Sequence, residues 1–331
     1  MNPHHTSRRQ FIAASIAAAI TSSAGAQIIS AGSLVIMVPQ PAGNPTDNIA
    51  RRLLPHLQTA LDQKIIVENA AGAGGSIGVA KVLRASTSAS MLVFASQTEA
   101  ILTPLGMKEP PYKSEQLRPI ALISRGVYAL VGRPDLPAGN LAELDKLVKD
   151  RGTAKPLAFG HIGNGTMQHL MGERWVTKTK ISLTMVPYKG VGPVLQDLMG
   201  GQIDIAFMPM AGQIGELISS GKIKALASTG AVPSTKFPKV QTFGQQDKNL
   251  ADFQYETWAA AFVAKAMPDT EALRLHKALA NALDVNEFRD FITSTGGERV
   301  PAMTLAELDT FYQVETRRYQ QMSRESGIKP E

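Results

Sequence analysis

The sequence predicts an α/β protein of two lobes, each a mostly parallel sheet flanked by helices. Three observations carry this. Short apolar runs alternate with stretches of helical periodicity through most of the chain, the pattern of a doubly wound sheet. At 331 residues the chain exceeds the ~150 typical of one domain. With 44% hydrophobic and 19% charged residues it can fill a packed interior, which excludes disorder, collagen or a fibre. One long sheet is the alternative arrangement. In the two-lobe arrangement the chain crosses near 127 and returns near 252. Residues 27–127 with 252–331 then form lobe 1, and 128–251 form lobe 2.

Residues 1–26 read as an export signal. Arg8 and Arg9 form a charged start, and Phe11 to Ile20 is an apolar stretch too short to span a bilayer. Ala24-Gly25-Ala26 is an A-x-A cleavage site, so the mature chain is expected to begin at Gln27. Ser7 to Ile12 also matches the twin-arginine pattern, with an ordinary secretory signal as the alternative. Nothing else approaches ~18 consecutive apolar residues. The net charge of +6 is spread without any Lys/Arg-rich run, which argues against a nucleic-acid partner. Cysteine is absent, which excludes disulfides, thiol catalysis and Cys-based zinc sites.

The mature chain opens with the apolar run Leu34 to Val38, as expected of a buried parallel strand. A Pro/Gly loop follows, and Thr46-Asp47 can cap a helix through Leu61, with Ile49, Leu53 and Leu57 on one face. Pro55 should kink or break that helix. Lys64 to Glu68 is a strand, Asn69 to Gly75 a Gly/Ala loop, Ser76 to Arg84 a helix and Met91 to Ala95 a strand. A second unit begins near Tyr128. Ala129 to Gly132, Leu157 to Gly160, Ser182 to Val186, Ile203 to Phe207 and Ala225 to Thr229 read as strands. Helices are expected over Leu141 to Lys149, Thr166 to Val176, Pro193 to Met199 and Ile214 to Ser219. Phe237 to Asp252 is a connector and Thr257 to Val263 a strand. Helices from Pro268 to Leu283, Asn286 to Ser294 and Leu305 to Glu325 end the chain.

Four loops, 39–47, 69–76, 161–166 and 187–192, each follow a strand and open a helix. Ligands of open parallel sheets sit at the strand carboxyl ends. Helix starts there offer unpaired N–H groups and the positive end of the dipole. An anion held by backbone amides and hydroxyls is the expectation; ordinary turns are the alternative. Loops 39–47 and 69–76 contain no Lys or Arg, which suits a carboxylate better than a phosphate. No metal and no cofactor are expected.

Three other motifs carry less. Gly74-Gly75-Ser76-Ile77-Gly78 matches G-x-S-x-G, and Asp204 and His276 follow in triad order. However, a nucleophile elbow needs its serine directly after a strand, so capping or ligand contact is the better reading of Ser76. Gly72-Ala73-Gly74 resembles a dinucleotide loop, but the third glycine is replaced by Ile77. His161 and His169 lack a nearby acid at ligand spacing, so packing or capping is expected.

At these loops the sequence resembles the Bug/TctC family, the substrate-binding proteins of tripartite tricarboxylate transporters. The carriers are Val38 to Asp47, Val67 to Gly78, Gly163-Asn164-Gly165-Thr166 with His169-Leu170 and Gly172-Glu173, and Val186 to Gly190 with Asp197-Leu198 and Gly200 to Asp204. Their order spans almost the whole mature chain. The resemblance implies a two-lobed periplasmic binding protein, type II-like, that closes on a small carboxylate and passes it to membrane permease subunits, without catalysis. It implies ligand contacts from Ala42, Gly43, Thr46, Asp47, Ala73, Gly75, Ser76, Gly165, Thr166 and Asp204. Tyr188 can contact ligand or pack between lobes, and Asp47 can serve as a helix cap. Asn44 replaces a second glycine of the family's first loop; Asn tolerates φ > 0, and its side chain can touch the ligand or fill the pocket. Asn44, Gln97 and Met208 are expected to set pocket size. Thr103-Pro104 stands where the family has Asn-Pro. Glu99 either points to solvent or selects a ligand with a cationic group. A monomer is expected. The rival readings are a sensor that presents bound ligand to a membrane kinase and an exported hydrolase using Ser76.

Overall fold

In a computed structural model of the chain, residues 33–85, 91–152 and 154–326 are described; the expected export signal and cleavage site lie outside the described residues. The strands are β1 (Leu34–Val38), β2 (Ile65–Asn69), β3 (Met91–Ser96), β4 (Leu117–Gly132), β5 (Leu157–His161), β6 (Leu183–Pro187), β7 (Ile205–Pro209), β8 (Lys224–Ser228) and β9 (Glu256–Ala264). The helices are α1 (Pro45–Leu61), α2 (Ser76–Arg84), the single turn α3 (Thr103–Leu105), α4 (Leu141–Arg151), α5 (Met167–Thr179) and α6 (Val191–Met199). They continue with α7 (Gly212–Ser219), α8 (Phe243–Gln246), α9 (Asp269–Leu283), α10 (Asn286–Ser294) and α11 (Leu305–Ser326).

All five residues of β1 are buried, as a strand covered on both faces requires. β1 lies between β2 and β3 and parallel to both. β3 is antiparallel to β9, and β9 is antiparallel to β4 over Leu117 to Val127. From Tyr128 onward β4 changes partners and pairs antiparallel with β7 and β8. β5 then runs parallel to β7 and to the edge strand β6. The order is β2-β1-β3-β9-β4-β7-β5-β6, with β8 alongside β4. The architecture is the expected two-lobed α/β one. The sheet is mixed because β4 and β9, which link the lobes, run antiparallel to their neighbours.

The expected strand 129–132 is only the tail of a 16-residue β4. Arg118, Ser124, Arg125 and Gly126 interrupt the apolar pattern of its first part, so periodicity missed it. α1 begins at Pro45, earlier than expected, with Asn44 as N-cap and Pro45 in the first turn, where a missing N–H costs nothing. α1 runs unbroken to Leu61 with Pro55 inside it.

One apolar cluster fills the outer face of the first sheet half, where α1 and α9 lay Leu53, Leu57, Leu275 and Leu279 against Ile36 and Phe94. A second covers the outer face of the other half with Val194, Leu198 and Ile214 on Met208. A third runs between the halves without a break, from Met37 and Val93 to Phe159, Trp175 and Phe207. α11 joins it through Tyr312 and Tyr319. The hydroxyl of Tyr312 donates to the carbonyl of Ala100 or Ser114, both at 3.1 Å, and Nε1 of Trp258 on β9 donates to the buried Glu315 carboxylate at 2.8 Å.

Candidate functional site

Strand register alone locates a cleft. The pairing of Ser96 with Ala259 and of Val127 with Glu256 puts the carboxyl end of β3, and with it those of β1 and β2, where β4 leaves for the second half. The pairing of Tyr128 with Pro209 puts the carboxyl ends of β7, β5 and β6 at the same junction from the other side. Two sets of carboxyl ends therefore face each other.

On the first side, loop 39–44 turns at Gly43, whose φ is +85°. Its N–H donates to Asp47 Oδ2 at 2.8 Å. Loop 70–76 is tighter: Ala73, Gly74 and Gly75 all have positive φ (46°, 63° and 89°), and the Gly75 N–H donates to the Gly72 carbonyl at 2.9 Å. Alanine in the left-handed region is an outlier that costs on the order of 1 kcal/mol. The turn leaves Ala73 and Gly74 exposed just ahead of α2, and Ser76 is the buried first residue of that helix. Thr103 ties α3 to this loop by donating to the Gly74 carbonyl at 2.7 Å.

On the second side, loop 161–166 uses positive φ at Gly163 and Gly165. Thr166 is the N-cap residue of α5, and its hydroxyl donates to the Gly163 carbonyl at 2.7 Å. His161 and His169 stack beneath the loop with ring centroids 4.5 Å apart. His161 Nδ1 meets the Gly163 carbonyl at 3.0 Å, so that nitrogen carries the proton; His169 Nδ1 accepts from the Gly165 N–H at 3.1 Å. Burial, with the His169 ring beside it, holds the His161 pKa below its ordinary value against the pull of the Gly163 carbonyl. These contacts make the pair a support for the loop, and no group of three metal-ligating side chains exists among the described residues. The two sides touch: a Cβ built on Gly165 lies 3.6 Å from the Gly106 Cα, just after α3.

Ala42, Gly43, Ala73, Gly75, Ser76, Gly165 and Thr166 are thus brought to one junction, and Thr46 is buried in the first turn of α1 beside them. Six expectations need correction. Asn44 keeps φ at −66°, because Gly43 alone makes the turn, and its amide folds back to the Pro41 carbonyl at 3.1 Å. Asp47 points inward. It accepts from Gly43, from Arg51 Nε at 3.0 Å and from Asn69 Nδ2 at 3.0 Å. Burial pushes its pKa up, but these donors outweigh burial and hold it below the ordinary value. Gln97 is fully buried at the lobe junction, donating to Tyr128 Oη at 2.8 Å and accepting from the Trp258 N–H at 3.2 Å. Tyr188 donates its phenol to Asp197 at 2.6 Å, and burial with this carboxylate pushes its pKa up to about 12. Asp204 precedes β7 and sits at the far pole of the second half, about 16 Å from the carboxyl ends at ~3.3 Å per residue. There it accepts from Arg133, Arg151 and the Ala158 N–H. Met208 is a buried core residue and does not line the cleft.

No triad forms around Ser76. Asp204 is held at the far pole, and His276 Nδ1 bonds the Ile120 carbonyl at 2.8 Å. Of the two alternatives for Glu99, burial removes the solvent-facing one. It is neither at the surface nor free, but sits in a π-helical turn after β3 (Thr98–Leu102) with its carboxylate buried beneath both loops of the first side. Its position directly after an apolar strand was the one sequence signal for it.

The sequence profile of the family described as "Tripartite tricarboxylate transporter family receptor" (TctC) matches residues 49–328. The chain belongs to this family. BugT of Bordetella pertussis is 31% identical over 94% of each chain. A protein of the UPF0065 group from Agrobacterium vitis is 31% identical over 89% of this chain and 84% of its own. Among solved structures, the periplasmic binding protein BugD superposes with a TM-score of 0.80 at 26% identity, covering 90% of this chain and 98% of its own. MatC of Rhodopseudomonas palustris, solved with bound malate, superposes with a TM-score of 0.80 at 24% identity over 88% of this chain and 98% of its own. An R. palustris protein with adipate gives 0.82 at 22%, over 90% and 99%. The two-lobed fold of the family's periplasmic binding proteins is the fold of this chain. No helix among the described residues is long and apolar enough to cross a membrane.

Proposed function

We propose that this protein is a non-enzymatic periplasmic receptor that captures a small carboxylate between its lobes and delivers it to membrane permease subunits. The observation that carries this reading is the convergence of two sets of strand carboxyl ends on one junction, each opening helices whose first turns have no cation. α1 and α2 on one side and α5 on the other point their N-termini there, where dipole and free N–H groups favour an anion. In the proposed site, Ala42, Gly43, Ala73 and Ser76 contribute from lobe 1, and Gly165 and Thr166 from lobe 2. The lobes divide where β4 changes partners, giving 27–127 with 252–331 and 128–251. The mature protein starts at Gln27 and is a monomer. The malate and adipate held by the two R. palustris proteins support carboxylates as the substrate class.

A thermal-shift screen of residues 27–331 against mono-, di- and tricarboxylates, acidic amino acids and aromatic acids tests the reading. A ligand at one hundred times its Kd adds ~2.7 kcal/mol of stability. A hit that Thr166→Ala weakens about tenfold or more, with little change in the unliganded melting temperature, is the expected outcome. Silence across all acids with an intact fold contradicts it.

A further inference from the structure

We propose that Glu99 makes this receptor select a ligand with one carboxylate and a neutral or cationic opposite end, and reject dicarboxylates. The inference rests on the carboxylate-binding reading above and specifies its substrate class.

Glu99 lies where the carboxyl ends of β1 and β3 meet the cleft, and only 5% of the residue is exposed. Its Oε1 accepts from Gln40 Nε2 at 2.7 Å, and its Oε2 accepts from the N–H and the hydroxyl of Ser96 at 2.9 and 2.7 Å. Those three donors stand at the strand ends, where a bound anion would otherwise find them. Here they turn inward to an anion the chain itself supplies.

The group is locked in place. A Cβ on Gly75 would lie 2.5 Å from Glu99 Cγ, so the glycine backbone packs directly on the side chain. The hydroxyl of Tyr112 donates to the Glu99 carbonyl, and Tyr312 holds the Ala100 carbonyl beside it. The turn therefore holds Glu99 under loops 39–44 and 70–76.

Among the described residues no Lys or Arg side chain is hydrogen-bonded or ion-paired to the Glu99 carboxylate, and of the four cleft loops only 187–192, on the second side, carries a cation, Lys189. The hydrogen-bond partners of the carboxylate are neutral. Arg51 on α1 is bound to Asp47 and Asn69. Burial pushes the Glu99 pKa above its ordinary value, while the Gln40 and Ser96 donors pull it back and favour the ionised form; an ionised group in a wall of low dielectric is screened little and acts on whatever sits against it. With the ligand's one carboxylate on the α5 N-terminus at Gly165 and Thr166, a second carboxylate pressed to the lobe 1 wall meets repulsion and lacks the Gln40 and Ser96 donors. An ammonium, hydroxyl or alkyl end meets neither obstacle.

Matched acids decide this by titration calorimetry: adipate against 6-aminohexanoate and hexanoate, and succinate against 4-aminobutyrate and butyrate, on wild-type protein and Glu99→Gln. Wild type is expected to bind a one-carboxylate member at least tenfold more tightly than the dicarboxylate of its set. Glu99→Gln is expected to shrink that ratio at least tenfold by gaining dicarboxylate affinity. Three results overturn the proposal: a wild type that prefers the dicarboxylate, a Glu99→Gln ratio within twofold of wild type, or equal loss of all acids in the variant. The last two would leave Glu99 as a structural staple. A dicarboxylate preference leaves the carboxylate-receptor reading standing, whereas wild-type silence toward every acid sinks both. If Glu99→Gln does not fold, the wild-type ratio alone decides.

Discussion

At the residue scale, the acidic side chains nearest the cleft bind the protein to itself. Asp47 joins loop 39–44, the first turn of α1 and the end of β2 through Gly43, Arg51 and Asn69. From the sequence Asp47 could serve the ligand or the N-cap; the cap position is Asn44, and Asp47 reaches back from the third helical residue to the Gly43 amide. Its folded pKa is depressed, so its contribution to stability is present above the unfolded value near ~3.9 and is lost as pH falls through the folded value. Asp47→Asn is expected to cost about 1–3 kcal/mol at neutral pH by denaturant melts, a difference that narrows as pH is lowered from about 4. A difference that stays constant down to pH ~2.5 would show that the ionised carboxylate is not what binds the loop. Single-residue chemistry was legible where it depended on backbone: Gly43, Gly75 and Gly165 all adopt the positive φ that their loops suggested. It was not legible where side-chain direction mattered, because Asp47, Gln97 and Glu99 are polar residues that turn inward. Only three-dimensional partners reveal that.

At the scale of elements, continuous apolar runs were reliable guides. β1 and α10 have the bounds that periodicity assigned, and α2 starts and ends as expected. β4 escaped because a strand that serves two lobes changes its surroundings midway, and its polar residues fall at the change. Gln97 sits under that change of partners and bonds β4 through Tyr128 and β9 through Trp258. Replacing it with leucine leaves the Trp258 N–H and the Tyr128 hydroxyl without this partner, each buried group costing ~1–3 kcal/mol. Gln97→Leu should therefore lower the melting temperature clearly, while any ligand that still binds keeps its rank order among acids. Unchanged stability would mean that the junction is held by the apolar cluster alone.

At the scale of the whole molecule, two features act against each other. The apolar cluster that runs through both halves, with α11 packed across it, resists separation of the lobes. The carboxyl-end loops, by contrast, meet through glycines, with Gly165 resting on Gly106 and no side chain between them. Motion is then expected as a rotation about β4 and β9 that opens the glycine contact and leaves the shared cluster intact. The family was legible because its four loop motifs keep their order along the chain, whereas Asp204, part of the fourth motif, lies at the far pole: motif membership does not place a residue at a ligand. The most direct test of capture between lobes is hydrogen exchange of the mature chain with and without a saturating carboxylate. The account predicts slowed exchange on both sides of the cleft together, in 70–78 and in 161–170. Protection confined to one lobe, or to the far pole around Asp204, would contradict it.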